Sequence, residues 1–257
     1  MTAVARWAAT RWRAQVLLYA SAYGAYSAAR WMSVHHLREA TAHARWIERL
    51  ETAVHVGVER PMQRALDSGT PIWLLNHVYL VAQLVVVPGA LLWLYARAPA
   101  IYRGLRNTVL ATWLIAVPIY ALFPVAPPRL AGIGIADTIS ARSAASLNSH
   151  LATSFYNPFA AVPSLHAGFA FAVGIALAAA LRRPWAKAAA LLWGPAVTLA
   201  VVVTGNHFLF DVAAGLVVTG VAFAAVRTGP RVIRAMADVT VADSAVSGLT
   251  CNLQSRA

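Results

Sequence analysis

The fold class follows from the stretch PIWLLNHVYLVAQLVVVPGALLWLY at residues 71–95, which contains no Asp, Glu, Lys or Arg. An α-helix needs about 20 predominantly apolar residues to cross the hydrocarbon core of a bilayer. Three further segments approach this length and composition, at residues 107–123, 159–181 and 207–226. The segment at 188–204 is shorter but uncharged, and that at 14–29 is uncharged but rich in Ala, Ser and Tyr. The sequence therefore predicts an all-α, polytopic bundle of six transmembrane helices.

The composition agrees with a membrane protein. Hydrophobic residues make up 60% of the 257 residues and charged residues 12%, against about 45–50% and about 25% in an ordinary soluble domain. With a mean hydropathy of +0.61, these values exclude disorder, collagen-like repeats and an ordinary soluble enzyme. The single cysteine, Cys251, excludes a disulfide scaffold and a cysteine-built metal cage. The net charge of +12 comes from basic residues that separate apolar runs, so we expect the lipid bilayer, and no nucleic acid, as a partner.

The basic residues also predict the orientation. They cluster before the first span, between the second and third, between the fourth and fifth, and after the sixth: Arg6, Arg11, Arg13; Arg97, Arg103, Arg106; Arg182, Arg183, Lys187; Arg227, Arg231, Arg234. With six crossings all four clusters lie on one side, which the positive-inside rule identifies as cytoplasmic. We expect an integral plasma-membrane protein with cytoplasmic termini. A cleaved secretory signal is the alternative for the N-terminus, although no small-residue cleavage site follows it.

Residues 36–66, between the first two spans, form a different kind of segment. Apolar residues recur there at three- and four-residue steps, whereas charged residues, including Glu48 and Glu51, occupy the other side. This periodicity predicts an amphipathic helix that Pro61 ends or kinks. Such a helix lies on the membrane surface or, equally consistent with the pattern, packs on the bundle. We treat residues 1–234 as one membrane-embedded domain with its core at 107–226, followed by a disordered cytoplasmic tail at 235–257.

Candidate chemical residues concentrate on the outer face. Asp211 is the only acidic residue within the predicted spans, and a carboxylate at membrane depth is costly and usually functional. His207 lies four residues earlier, where it would share a helix face with Asp211. The carboxylate can then fix the imidazole tautomer and make the other nitrogen a better nucleophile or base. A structural hydrogen bond and a helix cap by Asn206 are the alternatives.

His166 is expected at the same depth as His207, because the chain crosses and returns between them. Two histidines and a carboxylate suit either a nucleophilic His with a second His as general acid, or a metal site. Pro163 and Ser164 favour the first, because a helix that begins there directs free N–H groups outward. With Arg129 this makes a phosphate-type anion site. The same positive charge disfavours a divalent metal, and we expect no metal and no cofactor.

Three further residues at the outer ends of spans could line a headgroup pocket: Asn206, His77 and Asn157. For His77, interhelical hydrogen bonding is the more common role of such a residue. The long loop at 124–158 is a candidate lid.

These residues resemble the motifs of the type-2 phosphatidic acid phosphatase superfamily, which includes vanadium-dependent haloperoxidases. The sequence Pro163-Ser164-Leu165-His166 is similar to its Pro-Ser-Gly-His motif, and His207 and Asp211 match the spacing of its last motif. Residues that depart from the superfamily pattern stand where it has Lys, Pro, Ser and Arg; they are Leu122, Leu130, Ala200 and Val201. The run Pro-Pro-Arg that ends at Arg129 is closer to the inositol phosphorylceramide synthase-like branch, whose members move a phosphoalcohol headgroup between lipids.

The resemblance implies a role for each site residue. His207 would attack phosphorus and form a phosphohistidine, oriented by Asp211, while His166 would protonate the leaving alcohol and then activate water or an acceptor hydroxyl. Arg129 and Ser164 would hold the phosphoryl oxygens, and no metal is required. We therefore expect a metal-independent phosphoesterase whose substrate partner is a lipid phosphate or diphosphate. An inositol-phosphate or other headgroup transferase, an enzyme for another isoprenoid phosphate reaction, and a catalytically impaired lipid-binding pseudoenzyme remain open.

Overall fold

The computed structural model describes residues 15–24, 27, 36–142 and 157–229, and the regular structure within them is helical. The helices that follow residue 36 are α1 (Leu37–Ala53), α2 (Glu59–Leu66), α3 (Gly69–Arg97), α4 (Pro99–Leu122), α5 (Thr138–Arg142), α6 (Leu165–Ala180), α7 (Pro184–Val203) and α8 (Leu209–Gly229). Helix α3 contains a π-helical turn at Ala82–Val86.

Four of these helices, α3, α4, α7 and α8, are long and apolar enough to cross a membrane, so the chain has the character of a membrane protein. Helix α6 is apolar but has only 16 residues. The predicted first span at 14–29 is described only at 15–24 and 27, which are helical. The predicted tail at 235–257 lies outside the described residues. The six predicted spans therefore correspond to four clear spans, one shorter helix and one partly described segment.

Two predicted boundaries differ from the structure. Helix α4 begins at Pro99, directly after Ala98, so Arg103 and Arg106 lie inside a helix and not in a connection. Proline suits the first turn of a helix because its missing N–H has no partner there in any case. Helix α6 begins later than predicted, because the chain before it is extended: the Val125 N–H donates to Phe159 O at 2.8 Å, and the Ala161 N–H donates to Val125 O at 3.2 Å.

The amphipathic segment forms two helices instead of one. The chain breaks between α1 and α2, where His55 has a φ of 60°, while Pro61 sits harmlessly in the first turn of α2. Helix α1 packs on the bundle, with Ala40, Ala44 and Ile47 fully buried. Placing Glu51 on the polar side was wrong: it is only 3% exposed, because it follows Ile47 by four residues and shares its face.

Helices α6 and α8 approach each other closely enough to bring distant residues together. A Cβ built on Gly215 would overlap the carbonyl oxygen of Ser164, and one on Gly168 would overlap the hydroxyl of Thr219. Small residues allow this backbone-to-backbone packing between membrane helices. The beginning of α6 therefore lies directly against the first two turns of α8.

Buried amides fasten the loop after α4 to the bundle. The Gln63 side chain donates to the carbonyl oxygens of Ala136 and Val203, at 3.1 and 2.9 Å, and accepts from the Ala136 N–H at 2.8 Å. Asn76 donates to Thr138 O at 3.0 Å and accepts from the Thr138 hydroxyl at 2.8 Å. Helices α2 and α3 thus fix the loop that carries Arg129.

Candidate active site

The structure brings His166 and His207 together. His166 is in the first turn of α6 and His207 precedes α8, and their ring centroids are 5.9 Å apart. The close packing of the two helices causes this proximity. At the same contact the Ser164 N–H donates to the backbone oxygen of Asp211 at 2.9 Å. Two imidazoles at this spacing can flank a single phosphoryl group.

His207 and Asp211 form the predicted pair, but not through a shared helix face. His207 lies two residues before α8 begins, and its Nδ1 is 3.3 Å from Asp211 Oδ2. The pair forms because the Asp211 side chain turns back toward the helix start, where the same oxygen accepts the Phe208 N–H at 2.9 Å. Nδ1 faces the carboxylate, so Nε2 points away from it and is the nitrogen available for attack.

His166 has an aromatic neighbour that the sequence did not predict. The ring of Tyr79, on α3, stacks on His166 with centroids 4.4 Å apart and an interplanar angle of 12°. The stacking fixes the orientation of the His166 ring relative to His207.

The beginning of α6 is open. Ser164 is fully buried and caps the helix, and its Oγ accepts the Ala167 N–H at 3.4 Å. The helix therefore begins after Ser164 and not at Pro163 as predicted, because a serine cap itself is not helical. Within the described part of the chain, the N–H groups of Leu165 and His166 have no acceptor. Amides of this kind, at the positive end of a helix, attract an anion.

Arg129 is buried and firmly oriented next to this site. Its Nε donates to Asn206 Oδ1 at 3.0 Å and its Nη1 to Asp137 Oδ2 at 2.9 Å, and its own N–H donates to Gly205 O at 2.9 Å. Asn206 is held in turn by the Thr204 hydroxyl at 2.9 Å. Asn206 therefore orients Arg129, and it does not cap α8, which begins at Leu209. Asp137 was missed because no sequence pattern connects it to Arg129.

His77 and Asn157 have other partners. His77 Nδ1 lies 2.7 Å from Trp73 O, and the two rings are 4.1 Å apart. His77 is two residues before Tyr79, which places it on the opposite side of α3 from His166. Asn157 is buried, and its Oδ1 accepts the Phe159 N–H at 3.0 Å, which turns the chain before α6.

Two buried carboxylates that the sequence analysis did not select contact the beginning of α8. Glu59 Oε1 accepts the Leu209 N–H at 2.9 Å, and Glu51 Oε1 accepts the Phe210 N–H at 2.6 Å. Burial, with a contribution from the neighbouring Glu59 carboxylate, raises the pKa of Glu51 to about 8. The signal that could have found Glu51 is its place in the stripe of Ala40, Ala44 and Ile47.

Among the described residues, no group of three or more His, Cys, Asp or Glu side chains has an arrangement that could hold a metal ion. The charged and polar groups around the two histidines are instead Arg129, Asp211 and the open amides of α6. This set suits a negatively charged ligand that one histidine attacks and the other protonates.

The family model of the PAP2 superfamily matches residues 45–225. The chain belongs to the PAP2 superfamily. The superfamily prediction is thereby confirmed, and membership indicates phosphatase-type activity on phosphate esters. The match spans the site residues from Arg129 to Asp211. No curated protein and no solved structure matches the chain.

The residues that stand at the Lys, Ser and Arg positions of the motif pattern lie either at the surface of α4 or in the core of α7. Leu122, at the end of α4, is 83% exposed, whereas Ala200 and Val201 are fully buried in α7. Arg129 is thus the cation that the described residues place next to His207 through Asn206.

Proposed function

We propose that the protein is a membrane phosphoesterase that acts on a lipid phosphate or diphosphate through a phosphohistidine on His207. The observation that carries the proposal is the grouping of His207, Asp211 and His166 beside the open start of α6. A nucleophile, its orienting carboxylate, a second proton-transfer group and an anion site are the parts that phosphoryl transfer by a histidine needs.

The first step forms the phosphohistidine. Nε2 of His207 attacks phosphorus, and the bond between phosphorus and the ester oxygen breaks as the P–N bond forms. His166 gives its proton to the departing oxygen, so the alcohol leaves as a neutral molecule. Asp211 holds the Nδ1–H of His207 and stabilises the positive charge that develops on that ring.

The second step releases phosphate. A water molecule gives a proton to His166 while its oxygen attacks phosphorus, and the P–N bond breaks. His207 and His166 return to their starting states. Arg129 and the amides of Leu165 and His166 stabilise the charge on the phosphoryl oxygens in both steps. These groups supply the positive charge that the reaction needs, and we propose that it proceeds without a metal.

The surface of the helices supports a lipid as the substrate. Large apolar side chains on the transmembrane helices are exposed, among them Leu84, Leu114 and Val217, as expected for helices that face acyl chains. The site lies at the ends of α6 and α8 and not at their centres. A phosphate headgroup can therefore reach it while its hydrocarbon chains stay in the bilayer, and we place this end at the outer face of the plasma membrane.

Transfer of the phosphoryl-linked headgroup to an alcohol is a second candidate. The run Pro-Pro-Arg that ends at Arg129, together with Leu122 and Val201 where other members have cations, favours the inositol phosphorylceramide synthase-like branch. In that reaction an acceptor hydroxyl replaces water in the second step and gives its proton to His166.

The test uses purified full-length protein in detergent with EDTA, phosphatidic acid and an isoprenyl diphosphate as substrates, each with and without inositol. We expect released phosphate from the wild-type protein and none from His207→Ala. His77→Ala is the matched control, because it removes a histidine on the opposite side of α3 and should keep wild-type activity.

The outcomes separate the candidates. Inositol phosphate that appears only with inositol would identify a transferase. Activity restored only by a divalent metal would contradict the metal-independent mechanism. Lipid binding without turnover would identify a pseudoenzyme, and wild-type turnover by folded His207→Ala protein would overturn the role of His207.

A further inference from the structure

The first turn of α8 is held by three carboxylates. The N–H groups of Phe208, Leu209 and Phe210 donate in order to Asp211, Glu59 and Glu51, at 2.9, 2.9 and 2.6 Å. Asp211 reaches back from the third helical position, as the carboxylate of a capping box does. Phe208 has no side-chain oxygen with which to cap the next amides, so the other two acceptors come from outside the helix.

Both outside carboxylates are buried and come from the segment before the first clear span. Glu51 is at the end of α1 and Glu59 is the first residue of α2, and they are 3% and 4% exposed. Burying a carboxylate is costly unless it is hydrogen-bonded. Here the amides and the positive end of α8 offset that cost.

We propose that Glu51 and Glu59 are positioning residues of the phosphoryl-transfer site, which fix the first turn of α8 and thereby the His207–Asp211 pair through their hydrogen bonds to Leu209 and Phe210. The inference rests on the proposed function. The two acceptors hold the residues that lie between His207 and Asp211, so a change in their position alters the 3.3 Å contact between that imidazole and carboxylate.

The same carboxylates also exclude substrate phosphate from the start of α8. They occupy the amides of Leu209 and Phe210, which are therefore not available to another anion, whereas the start of α6 keeps two amides for it. Phosphate is thus directed toward the side of His207 that faces His166.

The test separates positioning from simple stabilisation. Glu59→Ala and Glu51→Ala remove the acceptor, whereas Glu59→Gln and Glu51→Gln keep an amide oxygen that can accept the same N–H. A cavity of about 280 Å³ already borders both carboxylates, so water can hydrate the amides in the alanine variants. Glu48→Ala is the matched control, because Glu48 is on α1 with Glu51 but pairs with Arg60 at the surface.

We expect each alanine variant to lower kcat for phosphatidic acid, or for the isoprenyl diphosphate if that is the better substrate, by about tenfold or more, with KM nearly unchanged. Each glutamine variant should recover most of the lost activity, and Glu48→Ala should match wild type. Hydrogen exchange followed by mass spectrometry should be faster over residues 208–212 in the alanine variants only. If an alanine variant does not fold, Glu59→Asp, which withdraws the carboxylate by one methylene, takes its place with the same expected direction.

Two results would overturn the inference: alanine variants with wild-type kcat and wild-type exchange, or glutamine variants that restore the exchange but leave kcat as low as alanine does. An inactive wild-type protein would instead overturn the proposed function. The exchange measurement needs no substrate and still decides whether the carboxylates fix the turn.

Discussion

Helices α6 and α8 both begin at the candidate active site, but their first turns are satisfied in opposite ways. The first turn of α6 follows Ser164, a neutral cap, and within the described residues the amides of Leu165 and His166 lack acceptors. The first turn of α8 is filled by three carboxylates: Asp211 belongs to α8 itself, Glu51 comes from α1 and Glu59 comes from α2.

The difference assigns a separate task to each helix. Every helix start carries a partial positive charge that attracts anions. In α8 the protein's own carboxylates use that charge, which makes the turn beside His207 rigid. In α6 the charge is available to a phosphoryl group beside His166. The nucleophile is thus on the filled end and the anion site is on the open end.

The largest effect on kcat is expected for Asp211, which connects the first turn of α8 to the nucleophile His207. Asp211→Asn keeps an oxygen for the Phe208 N–H but no longer stabilises the protonated His207 ring. We expect kcat to fall about 10³- to 10⁴-fold, as when the carboxylate partner of a catalytic histidine becomes an amide in serine proteases. Steady-state rates measure the change, and the melting temperature in detergent should stay near wild type. An Asp211→Asn protein with more than a tenth of wild-type kcat would show that the filled end is only structural.

A second variant separates the beginning of α6 from the beginning of α8. In Gly215→Ala the new methyl group overlaps the carbonyl oxygen of Ser164, and overpacking of this kind costs about 1–3 kcal/mol. We expect a lower melting temperature and a kcat reduced by about tenfold, since small displacements at a reacting centre are costly.

Gly220→Ala is the matched control for that variant. It adds the same methyl group on the same helix, where nothing lies within 4 Å, and it should behave as wild type. Equal effects from the two substitutions would contradict the idea that close contact between α6 and α8 positions the histidines.

The open end is tested by removing its cation. Arg129→Ala takes away a charge-assisted contact worth about 1.5–3 kcal/mol, so KM should rise about 10- to 100-fold. The change in kcat should be smaller than the change in KM. Arg49→Ala, an exposed arginine on α1, controls for the loss of one positive charge. A fall in kcat at unchanged KM would assign Arg129 to the transition state alone.

The smallest expected effect is the pH dependence of the free energy of unfolding that Glu51 causes at the beginning of α8. Burial, and then the Glu59 and Asp211 carboxylates that face it, raise the pKa of Glu51 from 4.5 to about 8. The folded protein therefore keeps a proton that the unfolded chain loses, and its free energy of unfolding should fall as pH rises from about 4.5 to about 8. Melting temperatures of wild type and Glu51→Gln across this range measure it, and the decline should be shallower in the variant. Parallel curves would show that Glu51 is ionised throughout.

The sequence predicted the site residues that are unusual at their own position in the chain. Asp211 and His207 were identified because a carboxylate within an apolar span is energetically costly and usually functional. His166 was identified because the predicted topology returns the chain to the membrane face on which His207 lies. Arg129 and Ser164 followed from the anion site that a helix start provides. None of these inferences needed a long-range contact.

The residues that were missed depend on contacts between distant segments. Glu59 and Glu51 reach α8 across about 150 positions of the chain, and Asp137 and Tyr79 act through Arg129 and His166. The charge of Glu51 placed it on the polar side of the amphipathic segment, although it continues the buried stripe of Ala40, Ala44 and Ile47. The length of α6 was overestimated because apolar residues before it are extended and pair with the chain after α4.

The central claim is that His207 is phosphorylated during the reaction. The most direct test incubates the protein briefly with phosphate-labelled substrate, stops the reaction in alkali, which preserves phosphohistidine, and maps the label by peptide mass spectrometry. The account predicts label on His207 in the wild-type protein, more of it in His166→Ala when the leaving group is good enough to depart without an acid, and none in His207→Ala. An active wild-type protein that never carries label on His207, or carries it on another residue, would contradict it.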